Sequence, residues 1–238
     1  MNVLEIDRLT KVYQGGKLAV NALSLQVKPG DLYGFIGPNG AGKTTTLKSA
    51  AGILNFERGE ILIGGKSVKS DPVGAKMGLA FLPDEPLLYH YMTGIGFLTF
   101  VCDIYQVDKE KREKNIKHFA GVLELENALG DLISTYSHGM KQKLSLIGAL
   151  VHEPKLLMLD EPFIGLDPKM AFELKRIMAE FCSNGGAILF SSHILDVVEK
   201  LCNKVAVIAN GELVADGPTD QVRGNQSLEK MFLEMTEK

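Results

Sequence analysis

Residues 32–44 read Leu32-Tyr33-Gly34-Phe35-Ile36-Gly37-Pro38-Asn39-Gly40-Ala41-Gly42-Lys43-Thr44, and the reading of this stretch decides the fold. Its first five residues are a short apolar run, the composition of a buried strand. Downstream, Leu47, Ala50, Ala51 and Leu54 recur at helical spacing. The eight residues Gly37 to Thr44 fit G-x-x-x-x-G-K-[ST], in the strand–loop–helix setting that gives the pattern its meaning. The glycines let the backbone curl so that successive N–H groups face phosphate oxygens. The helix start adds its positive dipole end. Lys43 supplies a compact positive charge for the β- and γ-phosphates, and Thr44 a hydroxyl for Mg²⁺. Gly37, Pro38, Asn39, Gly40, Ala41, Gly42, Lys43, Thr44 and the following Thr45 are therefore expected to bind ATP with Mg²⁺.

A phosphate loop needs a second element to hold the metal and prepare the water. Leu156-Leu157-Met158-Leu159 is strongly apolar and ends in Asp160-Glu161. On its own such a pair also suits a solvated turn. Beside a phosphate loop, Asp160 is expected on Mg²⁺ and Glu161 on the attacking water, a division suited to phosphoryl transfer.

Outward from these two segments, buried strands alternate with helices, the pattern of an α/β fold with a mostly parallel sheet covered on both faces. Strands are expected at 77–82, 155–160, 187–190 and 204–209. Residues 3–9 and 22–27 alternate apolar and polar, and Glu60 to Ile63 followed by Gly64-Gly65 reads as a hairpin, so an antiparallel β subdomain is expected near the N-terminus. The helical, charge-rich segment 88–152 reads as an insertion, dividing one domain of 1–238 into a core (1–87 and 153–238) and a helical subdomain. Ser137 is placed to N-cap the last inserted helix, with Met140, Leu144, Ile147 and Val151 as its apolar stripe. Asp167-Pro168 reads as an N-cap followed by Pro at the first helical position.

The 238 residues suffice for one large domain, and the formal net charge of −3 gives no basic excess for gripping nucleic acid. The basic run 109–117 reads as a solvated helix face. Cys102, Cys182 and Cys202 match no metal spacing and read as small core hydrophobes of a reducing compartment. The start, MNVLEIDRLT, lacks the apolar region of a signal peptide, and no segment reaches the ~18 apolar residues of a membrane span.

Taken in order, these motifs resemble the ATP-binding subunit of ATP-binding-cassette (ABC) transporters, over essentially the whole chain. The family's signature segment is matched by Tyr136-Ser137-His138-Gly139-Met140, shortly before the Asp-Glu strand. Its D-loop is matched by Gly165-Leu166-Asp167, its switch histidine by His193 and its adenine-stacking aromatic by Tyr13. The resemblance implies the ABC ATPase fold, with Glu161, His193 and Lys43 as catalytic residues and Thr44, Asp84 and Asp160 toward the metal. It implies that Ser137, Gly139 and Met140 cap the ATP of a second ATPase subunit paired head to tail. A helix N-terminus carrying a hydroxyl and open N–H groups suits that anion.

Two positions depart from the family's commonest pattern. His138 stands where Gly is usual, and Asp84 where a Gln is expected; Asp is shorter and accepts hydrogen bonds without donating. The Tyr-Ser-x-Gly-Met form resembles the small exporter ATPases for drugs, bacitracin and sodium. The resemblance therefore implies an ATPase that powers a membrane exporter. It would be cytoplasmic and peripheral on the inner face of the membrane, docked on transmembrane permease subunits through the surface around 84–105. A single-cassette ATPase serving in assembly or regulation is the alternative.

Overall fold

The computed structural model describes residues 1–236. Its strands are β1 (Leu4–Val12), β2 (Leu18–Val27), β3 (Leu32–Ile36), β4 (Arg58–Ile63), β5 (Lys66–Ser67), β6 (Leu79–Leu82), β7 (Leu156–Asp160), β8 (Ala187–Ser192), β9 (Lys204–Ala209) and β10 (Glu212–Pro218). Its α-helices are α1 (Lys43–Ala50), α2 (Pro72–Lys76), α3 (Gly94–Ile104), α4 (Lys109–Val122), α5 (His138–Leu150), α6 (Pro168–Ser183), α7 (Leu195–Leu201), α8 (Thr219–Arg223) and α9 (Leu228–Thr236).

Two sheets form. An antiparallel sheet runs β2-β1-β4-β5, and a six-stranded sheet runs β10-β9-β3-β8-β7-β6. In the second, every pairing from β9 to β6 is parallel, and β10 closes one edge antiparallel to β9. This is the mixed α/β arrangement expected from the sequence, built on a mostly parallel sheet. The central strands lack polar alternation because both of their faces are covered. Tyr33 and Phe35 of β3, Met158 of β7 and Leu189 of β8 pack toward the antiparallel sheet. The intervening Ile36, Leu157, Leu159 and Phe190 pack toward the helices, with Leu144 and Ile147 of α5 and its C-cap Val151 among their neighbours. The three cysteines are buried and unpaired.

One expected strand was too long. Residues 77–82 were expected to be extended, but Met77 ends α2 and the strand begins at Leu79. Helix α2 was missed, although Asp71 accepts from Gly74 N and Pro72 occupies the first turn, the same signal that marks α6 at Asp167-Pro168. Between β6 and β7 the chain forms α3, α4 and α5, joined by two short 3-10 turns. The basic run on α4 is solvated, apart from the buried Asn115 and Ile116 and the half-buried Arg112, which pairs with Asp103. Among the described residues, no helix is long and apolar enough to cross a membrane.

Candidate functional site

Parallel pairing gathers the chemistry at one end of the sheet. Ile36 is in register with Ser192, Asp160 with Ser191, and Leu82 with Leu159. The segments that leave these strands, 37–44, 160–161, 191–193 and 83–84, therefore emerge together at the carboxyl ends, where open α/β sheets bind ligands.

The loop between β3 and α1 has the backbone its glycines allow. Gly40 and Gly42 lie at φ of 80° and 109°, in the left-handed region where a side chain is disfavoured. Gly37 serves close packing instead: a Cβ there would stand 2.3 Å from the Ile208 carbonyl oxygen. The N-terminus of α1 has no side-chain cap and no acidic residue in its first turn, whereas α2, α3, α4, α5 and α6 are each capped by a side chain. Pro38, Asn39 and Gly40 are exposed above it. An anion meets open amides and the positive end of the helix dipole there. Lys43 Nζ donates to the carbonyl oxygens of Gly37 at 2.7 Å and Pro38 at 3.3 Å, and lies 3.9 Å from Glu161. Burial holds its pKa below the usual ammonium value, partly offset by the nearby carboxylates of Glu161 and Asp160.

The two carboxylates at the end of β7 separate. Asp160 is buried; its Oδ1 accepts from Ser191 Oγ at 2.6 Å and from Thr44 Oγ1 at 3.1 Å, while Oδ2 is buried without a hydrogen-bond partner. Glu161 turns out of the strand at φ 51°, its backbone N–H held by Ser191 Oγ at 2.9 Å. Its Oε2 meets His193 Nδ1 at 2.9 Å and accepts from the His193 N–H at 3.3 Å. Glu161 therefore lies between Lys43 and His193, and Asp160 lies against Thr44.

This donor set fits a magnesium nucleotide. No group of three or more His, Cys, Asp or Glu residues suited to a metal occurs among the described residues. Mg²⁺ bound with a nucleotide needs only one or two protein carboxylates, because phosphates and waters supply the other oxygens. The Asp160 carboxylate, with Oδ1 on the Thr44 hydroxyl and Oδ2 unpartnered, would supply such a ligand set together with that hydroxyl.

The other expected residues lie as follows. Tyr13 reaches from the antiparallel sheet, half exposed, with its hydroxyl 3.1 Å from Thr45 Oγ1 in the first turn of α1. Asp84 is exposed just past β6 and shares a small cavity of about 50 Å³ with Asp160 and Glu161. Ser137 caps α5 through Met140 N at 3.2 Å, and Ser137, His138 and Gly139 are exposed. Among the described residues, no hydrogen bond or ion pair joins 137–140 to 37–44. Sequence reading missed Ser191, which holds both Asp160 and the Glu161 amide. Its one signal was a hydroxyl ending an otherwise apolar strand.

Comparison with known proteins gives the same family throughout. The ABC transporter family model matches residues 20–164. The ABC-type transporter ATP-binding protein EcsA of Bacillus subtilis is 32% identical over 241 residues, covering 99% of this chain and 97% of its own length. An uncharacterized ABC transporter ATP-binding protein of Synechocystis is 33% identical over 232 residues, 94% of this chain; the match spans 65% of that relative's length. A solved structure of the ATP binding subunit of an ABC transporter superposes with a TM-score of 0.94 at 31% identity, covering 98% of this chain and 99% of that one.

Proposed function

Because the chain belongs to the ABC transporter family, as an ATP-binding subunit, we propose that it hydrolyses Mg-ATP in a site completed by a second cassette and so powers a membrane transporter. The observation that carries the reading is the placement of Glu161, held between His193 and Lys43 at the mouth of the glycine loop. In this reading Asp160 and Thr44 would hold Mg²⁺, with Asp84 as a further oxygen donor, and the bound metal would neutralise charge on the phosphates. Lys43 and the loop amides bind the phosphates, and Tyr13 stacks on the adenine. Glu161 orients water and accepts its proton, and His193 fixes the Glu161 carboxylate through Nδ1.

Half of the site lies elsewhere. The exposed loop and the helix start at Ser137–Met140, exposed through Gly139, are on one chain yet share no hydrogen bond. A head-to-tail pair explains both, each helix start capping the partner's nucleotide. ATP then binds the paired state far better than the open one, and its hydrolysis releases the pair.

The helical subdomain, residues 88–152, is proposed to carry the permease contact. A groove of about 410 Å³ runs beside it, walled by Ile53, Leu82, Leu87, Phe97, Val101 and Tyr105. Leu87 and Tyr91 stand 82% and 98% exposed nearby. An apolar groove of this kind suits a helix from a transmembrane subunit, and would hold the chain on the cytoplasmic face of the membrane. The Tyr-Ser-x-Gly-Met segment favours export.

The test is Glu161→Gln in the full chain. Mg-ATP should convert it to a dimer by light scattering, while turnover falls roughly 10²–10⁴-fold. A chain that remains monomeric in excess Mg-ATP overturns the composite site.

A further inference from the structure

Gln142 lies one turn into α5 and ties that helix to the turn after β7. Its Nε2 donates to the Ile164 carbonyl oxygen at 3.3 Å. Its Oε1 is buried with no hydrogen-bond partner among the described residues. Reversing the amide would set Oε1 against the Ile164 oxygen, two acceptors facing each other. His138, four residues earlier and so on the same helix face, stands over the same turn: a Cβ built on Gly165 would lie 3.8 Å from its Nε2.

The turn is otherwise fixed to the end of β7. Ile164 N donates to the Glu161 carbonyl at 3.2 Å, and Phe163 is buried edge-on against Phe190. Gln142 also shares the small cavity walled by Asp84, Asp160 and Glu161. A buried acceptor left without a partner costs more than a neutral hydrogen bond returns on net. Stability alone therefore favours an apolar residue at 142, and what the amide supplies is position.

We propose that Gln142 is a positioning residue that couples the helix start at 137–140 to the 161–165 turn carrying Glu161. The proposal rests on the composite-site reading above. In a head-to-tail pair, Ser137–Met140 serves the partner's nucleotide, and Glu161 serves the nucleotide on its own chain. A side chain joining these two segments links the two sites, so that closing one helps to align the other. The composite-site reading assigns Gln142 no contact with either nucleotide.

Gln142→Leu and Gln142→Met keep the bulk and remove the donor. In the full chain, both variants should match or exceed the wild-type melting temperature and bind ATP with unchanged affinity. Their kcat should fall about tenfold at little-changed KM, and the Hill coefficient, at most about 2 for two coupled sites, should fall toward 1. The same substitutions in a Glu161→Gln background should still form the Mg-ATP dimer. Wild-type kcat and cooperativity in both variants would overturn the proposal and leave the composite site standing. A kcat loss accompanied by a matching drop in melting temperature would also overturn it, since Gln142 would then be structural. A Glu161→Gln chain that never dimerises would overturn the composite site and this proposal together.

Discussion

Ser191→Ala removes one oxygen from the floor of the site, and its cost follows from what that oxygen holds. Ser191 is wholly buried; its Oγ donates to Asp160 Oδ1 at 2.6 Å and accepts from the Glu161 N–H at 2.9 Å. Losing the bond to the carboxylate costs about 1.5–3 kcal/mol, and leaving the Glu161 amide unpaired about 1–3 kcal/mol. The two losses share one atom, and Asp160 keeps its bond from Thr44, so they do not add in full. The expected loss is about 3 kcal/mol in the ligand-free chain. Ser192→Ala is the control, because Ser192 Oγ only accepts from Ile194 N at 3.0 Å and should cost about 1 kcal/mol. Urea unfolding followed by circular dichroism measures both, provided the denaturant slope is unchanged. Mg-ATP at 100 times its Kd stabilises the wild type by about 2.7 kcal/mol. At the same Mg-ATP concentration, Ser191→Ala should gain less, since the Asp160 carboxylate has lost one of its two anchors. A loss below about 1 kcal/mol, or one equal to that of Ser192→Ala, would refute the view that Ser191 fixes the carboxylate.

Lys43→Ala should weaken ATP binding about 10–100-fold by titration calorimetry, the loss of one charge-assisted contact of about 1.5–3 kcal/mol; unchanged affinity would remove Lys43 from the phosphate site. His152 is buried, stacked on Tyr105 with ring centroids 3.6 Å apart, and near the Leu79 carbonyl at 3.3 Å. Burial lowers its pKa from the ordinary value of 6.5, against smaller raising effects from the Leu79 and Gly148 backbone. The unfolded chain therefore binds more protons just below pH 6.5. The stabilising contribution is complete above that pH and is lost as pH falls toward the folded value. His152→Phe keeps the stack and should flatten this acid slope; urea midpoints at pH 7.5 and 5.5 that fall in parallel with wild type would refute it.

How much could be read from the sequence depended on how local each feature was. The strand–loop–helix of 32–50 and the caps at Ser137 and Asp167 were readable because neighbouring residues set them. Helix α2 carried the same Asp-Pro signal but is only five residues long, too short for a helical apolar period to show. Nothing in the residues of the edge strand β10 says that it closes a parallel sheet.

The sequence by itself determined the α/β class, the glycine loop and the Asp160-Glu161 pair, because each is written in a contiguous stretch whose backbone and burial are locally specified. Tertiary structure decided how those pieces meet. Parallel register places Ser191, from β8, under Asp160 and the Glu161 amide, and brings His193 onto the Glu161 carboxylate. Packing of α5 against the turn after β7 sets Gln142 on Ile164. These contacts join residues about 20 to 30 positions apart, and hydrogen-bond geometry between such residues exists only once the strands and helices are in place.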